Sequence, residues 1–267
     1  MKQLSLPTEK MLAHVEDGIG WMTYNNPARL NAMSLEMQQT VPLILDAFQQ
    51  DPSVRVVVVR GAGDRAFVSG ADISEFGEKR TSPEARDVYD RAAADAGAAW
   101  AAVEKPIIAM IRGYCMGGGM ITALSTDMRI ASVGSQFGVP AARLGLGYGY
   151  AGVEKLVALV GPAWTAEILF SARRLSDEEA LRIGLINRLV PADELESAVR
   201  ELAGQIAANA PLTIRACKAA LQQTQTWPEE RDLAHVTEMI EACFRSEDYV
   251  EGQAAFMEKR APSFRGR

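Results

Sequence analysis

Histidine is nearly missing from this chain: only His14 and His235 occur among 267 residues, and neither sits in a motif. That argues against a histidine-based triad or an HExxH metal site. Cysteine is equally scarce. Cys115, Cys217 and Cys243 are an odd number without paired spacing, which fits a reducing, cytoplasmic setting and offers neither a disulfide framework nor a zinc pattern. No segment approaches the roughly 20 apolar residues of a membrane span, and the N-terminus has no long apolar run of the secretory kind. Basic runs are absent as well. With a net charge of −6 this argues against nucleic acid as a partner, and no membrane partner is expected either.

What is present is ordinary globular material, 48% apolar and 23% charged, in a length that supports one sizeable core. Residues 12–24 alternate around Gly18 and predict a hairpin. Ser34 is a candidate N-cap for a helix whose buried face carries Met37, Val41, Ile44, Leu45 and Phe48. Pro42 falls inside that helix and should bend it or mark its true start. Val54 to Val59 reads as a buried strand. An alanine-rich helix is expected over 83–103, after a polar loop. Ser176 to Glu179 is a capping box, with Gly184 as the stop. From Asp193 onward the pattern is helical throughout, so the chain divides into an α/β part, 1–192, and an all-helical part, 193–267.

The stretch Pro106 to Arg129 joins an apolar strand, Ile107 to Ile111, to glycines at Gly113, Gly117, Gly118 and Gly119 and then to a helical pattern over Met120–Leu124. Such a turn leaves the first helical N–H groups without internal partners, and glycine lets a ligand touch them. A second polar turn, Ser69-Gly70-Ala71-Asp72, follows another strand. The literal G-x-G-x-x-G of residues 147–152 is a poor dinucleotide site, because Pro140 and Arg143 spoil the preceding strand.

The pair F-x-S-G-A-D-I (67–73) and G-Y-x-x-G-G-G (113–119) resembles the two signatures of the crotonase, or enoyl-CoA hydratase/isomerase, superfamily. The resemblance implies a fold of stacked right-handed β-β-α turns forming a spiral, followed by helices that assemble trimers. It implies an oxyanion hole made by the N–H groups of Ala71 and Gly118, acting on an acyl-CoA thioester. Coenzyme A then enters only as part of the substrate, with no permanently bound cofactor and no metal. By the same resemblance Arg29, in N-P-A-R-L-N-A-M, approaches the CoA phosphates. Ser69, Ala71, Asp72 and Ile73 line the CoA site, and Phe256 and Lys259 reach the CoA of a neighbouring subunit in a homotrimer or homohexamer. By themselves Arg29 and Lys259 read as solvated charges and Phe256 as a core aromatic.

Hydratases of the family carry one glutamate three residues after the oxyanion-hole glycine and another after the proline of F-G-x-P. Those positions are Ile121 and Ala141 here. Tyr148, in L-G-x-x-Y, resembles the methylmalonyl-CoA decarboxylase branch, as does S-E-D-Y-x-E-G-x-x-A-F-x-E-K-R, although that branch carries histidine where this chain has Ala71. Three activities follow as expectations: a hydratase/isomerase-type enzyme stabilising a thioester enolate, a decarboxylase of malonyl-type esters, and a silent acyl-CoA binder. Tyr148 is the candidate proton donor. Tyr150, Cys115 and Glu75 are lesser pocket candidates.

Overall fold

Strands buried on both faces are continuously apolar, and the valine run is one of them. In the computed structural model, which describes residues 2–72, 74 and 82–267, it sits near the middle of a seven-stranded sheet. The chain enters through β1 (Lys2–Gln3), β2 (Met11–Glu16) and β3 (Ile19–Tyr24). The hairpin between β2 and β3 closes on Asp17 and Gly18, with φ of 52° and 78°. Positive φ at both central residues matches the right-handed twist of the strands, and Asp-Gly is suited to it.

Helix α1 (Leu35–Gln50) follows, with Ser34 accepting from the Met37 N–H. It begins at Leu35 and runs on through Pro42, so the proline does not mark its start. Three β-β-α turns come next. The first is β4 (Val56–Gly61), β5 (Ala66–Val68) and α2 (Pro83–Ala102). The second is β6 (Ile107–Ile111), β7 (Tyr114–Met116) and α3 (Gly118–Leu124). The third is β8 (Met128–Ser132), β9 (Gln136–Gly138) and α4 (Tyr150–Ser171), which is broken at Gly161 (φ 77°, ψ 166°). Then come β10 (Leu175–Ser176), α5 (Asp177–Arg182) and β11 (Arg188–Val190).

The first strand of each turn joins the large sheet, in the order β1-β2-β3-β4-β6-β8-β11, and the second joins a small sheet, β10-β9-β7-β5. Pairing is parallel from β3 to β11 and from β5 to β9, so each turn advances by one strand in both sheets. The expected spiral is therefore present. Two short strands differ from the sequence expectation. β7 lies between Gly113 and the glycine triplet, where the pattern predicts a direct passage from strand to helix. β9 occupies a stretch that reads as a glycine-punctuated connection. Gly113 makes the corner between β6 and β7 at φ 69°, and a Cβ there would come within 2.0 Å of the Arg65 carbonyl oxygen.

Alternation along the strands divides the core. Val57, Val59, Ile107, Ala109 and Ile111 face the main core with α1 and the small sheet. Val56, Val58, Ile108, Met110 and Ile130 face Leu195, Val199 and Ala203, which recur at helical spacing on α6 (Leu195–Ala207). Strands thus end before residue 192, but α6 still packs on the large sheet. Beyond it lie α7 (Pro211–Thr224), α8 (Leu233–Phe244) and α9 (Glu247–Glu258). Lys218 of α7 ties back through Nζ, donating to Asp127 Oδ2 and the Lys105 carbonyl, each at 2.9 Å. Among the described residues no helix is long and apolar enough to cross a membrane.

Candidate functional site

Asn31 is fully buried and takes up φ 55°, a left-handed conformation that asparagine tolerates. Its Nδ2 donates to the carbonyls of Ala62 and Ala66 at 2.9 and 2.8 Å, and its Oδ1 accepts from the Asn26 N–H at 2.9 Å. The Arg29 loop is thereby pinned against β5. Met33 then pairs with the segment after β5: its N–H donates to the Gly70 carbonyl at 2.8 Å, and its carbonyl accepts from Asp72 N–H at 2.9 Å. This parallel bridge uses the groups on either side of Ala71, so the Ala71 N–H points the other way.

The glycine triplet lies on that other side, and its three members do different work. Gly117, at φ 50°, makes the turn and donates to the Gly138 carbonyl at 2.9 Å. Gly119 must be glycine, since a Cβ there would lie 2.1 Å from the Val68 carbonyl oxygen. Gly118 has room: its Cβ would meet the Ala71 nitrogen at 3.6 Å. Neither the Ala71 nor the Gly118 N–H has an acceptor among the described residues. Two orphan donors from separate chain segments thus stand side by side.

They open on a cavity of about 610 Å³. Its walls are mostly apolar, from Met33 and Val41 through Trp100 of α2 to Ile121, Val139 and Ala141. Among the described residues lining it there is no aspartate or glutamate; its titratable groups are Tyr24, Tyr89, Tyr148 and Lys155. The Tyr148 ring packs over Gly152, where a Cβ would come within 2.7 Å of it, and its hydroxyl is buried without a partner. Burial pushes the Tyr148 phenol well above its ordinary range. Tyr24 is pushed up for the same reason. The neighbouring Thr122 hydroxyl opposes that shift, yet it donates to the Gly118 carbonyl at 3.1 Å and leaves the Tyr24 hydroxyl unpaired. Lys155, on α4, donates to Ser125 Oγ at 2.8 Å, and burial lowers its ammonium against the opposing charge of Glu154.

Of the residues expected from the sequence, Ser69, Ala71, Gly118 and Tyr148 meet in this cavity. Asp72 lies beside it, accepting from the Ser74 hydroxyl and N–H at 2.6 and 3.0 Å. The hydroxyl bond leads in lowering its carboxyl; burial opposes this, and Arg29 and Lys10 add a smaller pull, which puts exposed Arg29 nearby. Ile73 and Glu75 lie outside the described residues. Phe256 and Lys259 are not brought to the cavity within one chain; both are exposed at the end of α9. Two lesser candidates fall away. Cys115 is sealed in the core 4.0 Å from Met120 Sδ, its thiol pushed up by burial, and Tyr150 is exposed at the start of α4. The G-x-G-x-x-G run follows a 3-10 turn, Pro140–Leu144, rather than a strand. Sequence reasoning misses Gln38, Tyr89 and Lys155; the visible signal for Gln38 is an amide on an otherwise apolar helix face.

Comparison with known proteins adds an independent line. The pattern of the enoyl-CoA hydratase/isomerase family matches residues 14–267. A short-chain-enoyl-CoA hydratase of Clostridium acetobutylicum is 35% identical over 251 residues, 92% of this chain and 93% of that one. A carnitinyl-CoA dehydratase of Proteus mirabilis is 37% identical, over 90% and 92% of the two chains. An enoyl-CoA hydratase/carnithine racemase of known structure from Magnetospirillum magneticum superposes with a TM-score of 0.90 at 33% identity, over 98% of this chain and 97% of that one. In sequence and in fold alike, this chain belongs to the enoyl-CoA hydratase/isomerase family.

Proposed function

We propose that the protein is an acyl-CoA enzyme of the hydratase/isomerase type, with the thioester carbonyl oxygen received by the N–H groups of Ala71 and Gly118. The observation that carries this is the pair of unpaired donors meeting at the mouth of an apolar cavity. When a proton leaves or joins the carbon next to the thioester, negative charge gathers on the carbonyl oxygen. Donors already aimed at that oxygen need no reorganisation, and apolar walls keep water from weakening them; losing one such donor costs about 2.7–4 kcal/mol of barrier. The relatives' activities favour this reading over the decarboxylase and the silent binder.

Outside this chemistry the proposal extends to the substrate's nucleotide end. Arg29 and the 69–73 segment hold CoA, and Phe256 and Lys259 approach it from a neighbouring subunit. Proton transfer is the unusual part. With Ile121 and Ala141 where the family's hydratases hold carboxylates, Tyr148 is the available group, and burial keeps it a neutral donor rather than a base. Crotonyl-CoA hydration should therefore run at least 10²-fold below what a carboxylate pair supports. Loss of enoyl absorbance, followed for wild type and Tyr148→Phe with enoyl esters of increasing length, measures this. Fast crotonyl-CoA hydration that survives Tyr148→Phe overturns the assignment of Tyr148; CO₂ release from a malonyl-type ester moves the activity to the decarboxylase.

A further inference from the structure

Helix α3 lays one face along the cavity: Gly118, Ile121, Thr122 and Ser125 all line it, at the spacing of a single helical stripe. From the donor at Gly118 to Ser125 that stripe runs about 10 Å by the helical rise. Helix α4 leads the same way, since Tyr148 packs over Gly152 and Lys155 follows one turn further along the cavity wall. Lys155 is half-buried, and its Nζ donates to Ser125 Oγ at 2.8 Å. That hydroxyl gives its own hydrogen to the Ile121 carbonyl at 2.9 Å and brings no charge. No carboxylate among the described residues forms an ion pair with this ammonium. Glu154, next to it in the chain, is exposed, and adjacent helical residues face apart. Burial draws the ammonium down, as it does for a cation short of counter-charge. A lysine stem is long enough to carry its charge out to water, yet here it holds that charge in the cavity wall.

We propose that Lys155 marks the far end of the acyl subsite and receives a carboxylate there, so that the acyl groups taken by this cavity end in a carboxyl group. The inference rests on the acyl-CoA reading above and narrows it to CoA monothioesters of dicarboxylic acids. The charges agree. Among the described residues lining the cavity Lys155 is the cation, no aspartate or glutamate repels the ligand, and burial keeps Tyr24 and Tyr148 neutral. A carboxylate laid against the ammonium supplies a charge-assisted hydrogen bond in place of lost hydration. A methyl end leaves the ammonium without a counter-charge, and a cationic end is repelled. The span along α3 sets a minimum length. A malonyl-type ester carries its carboxylate on the carbon next to the thioester, beside the hole, and does not reach Lys155. The same span keeps Ser125 and Lys155 from acting as nucleophile and base on a thioester held at Ala71 and Gly118.

The test compares, by isothermal titration, the CoA monothioesters of glutaric, adipic, pimelic and suberic acids, each beside the methyl-ended acyl-CoA of the same chain length. These saturated chains cannot be hydrated, so binding is read without turnover. With the wild-type protein at least one carboxyl-ended ester is expected to bind about tenfold or more tighter than its methyl-ended match. In Lys155→Met, checked for folding by circular dichroism, that preference should fall to within about twofold or reverse, while the methyl-ended esters keep their affinity. Lys155→Gln serves the same comparison if the Met variant does not fold. A lysine that serves only the C-terminal end of α3 would lower the melting temperature of these variants and give the wild type no such preference. If the methyl-ended esters bind and no carboxyl-ended ester exceeds its match, the inference is overturned while the acyl-CoA reading stands. Survival of the preference in a folded Lys155 variant overturns it equally. Should none of these thioesters bind the folded wild-type protein, the acyl-CoA reading fails and the inference with it.

Discussion

Three adjacent glycines are often read as one flexible motif, but side-chain space at each residue separates their duties. Gly119 is glycine for the fold: a Cβ would be driven to 2.1 Å from the Val68 carbonyl, so α3 would have to leave the small sheet. Gly118 is not required by the fold in the same way, because its Cβ would rest at ordinary contact distance, 3.6 Å, from the Ala71 nitrogen and the backbone of Gly70. The two alanine variants should therefore part company. Gly118→Ala is expected to melt within a few degrees of wild type, yet lose about 10²-fold or more in turnover as the methyl holds the thioester off the donors. Gly119→Ala is expected to lose stability by several kcal/mol or to fail to fold, as overpacking against backbone does. Melting curves and turnover measured side by side decide it. A Gly118→Ala protein with full activity would remove Gly118 from the hole.

At the scale of elements, what could be read from the sequence was whatever carried a local cause. The hairpin at Gly18, the Ser34 cap and the Ser176–Glu179 box each announce themselves through two or three residues. The three-residue strands β7 and β9 did not, because three residues cannot show a period and their pairing partners lie far away in the chain. The site followed the same division. Ala71 and Gly118 were legible from motif, whereas Gln38 and Tyr89 meet only because α1 and α2 pack together. The Ser176–Glu179 box allows a quantitative test. Glu179 accepts from Arg173 at 2.8 and 3.0 Å and from the Ser176 N–H at 3.0 Å, and these bonds hold its carboxyl down to about 2. A carboxyl depressed in the folded state stabilises above its unfolded value of 4.5 and loses that contribution as pH falls toward 2. Both side chains of the pair are partly exposed, so Glu179→Gln should cost only about 1 kcal/mol or less at neutral pH. Urea titrations should show that difference shrinking between pH 4.5 and 2; a difference independent of pH would assign it to the cap geometry alone.

The whole molecule leaves one region unfinished. α7, α8 and α9 enclose an apolar hollow of about 650 Å³ lined by Ala216, Cys217, Ile240, Phe244, Tyr249 and Phe256. Phe256 is 83% exposed, Met257 80% and Phe244 59%, a density of large apolar side chains that monomers rarely present to water. The same region carries Phe256 and Lys259, which one chain does not bring to the cavity. A neighbouring copy laid against this region would cover the apolar face and supply its α9 end to a CoA molecule in one arrangement. Closed rings of identical subunits satisfy both needs, so the expected assembly is a homotrimer or a pair of trimers. Sedimentation at micromolar concentration should give a species at least three times the chain mass. Phe244→Asp, which places a charge where its ring now meets Tyr249 edge-on at 5.4 Å, should drive the equilibrium toward monomer and weaken CoA-ester binding with it. If the wild-type chain instead sediments as a stable monomer, the apolar face is not a subunit contact, and the roles given to Phe256 and Lys259 lose their basis.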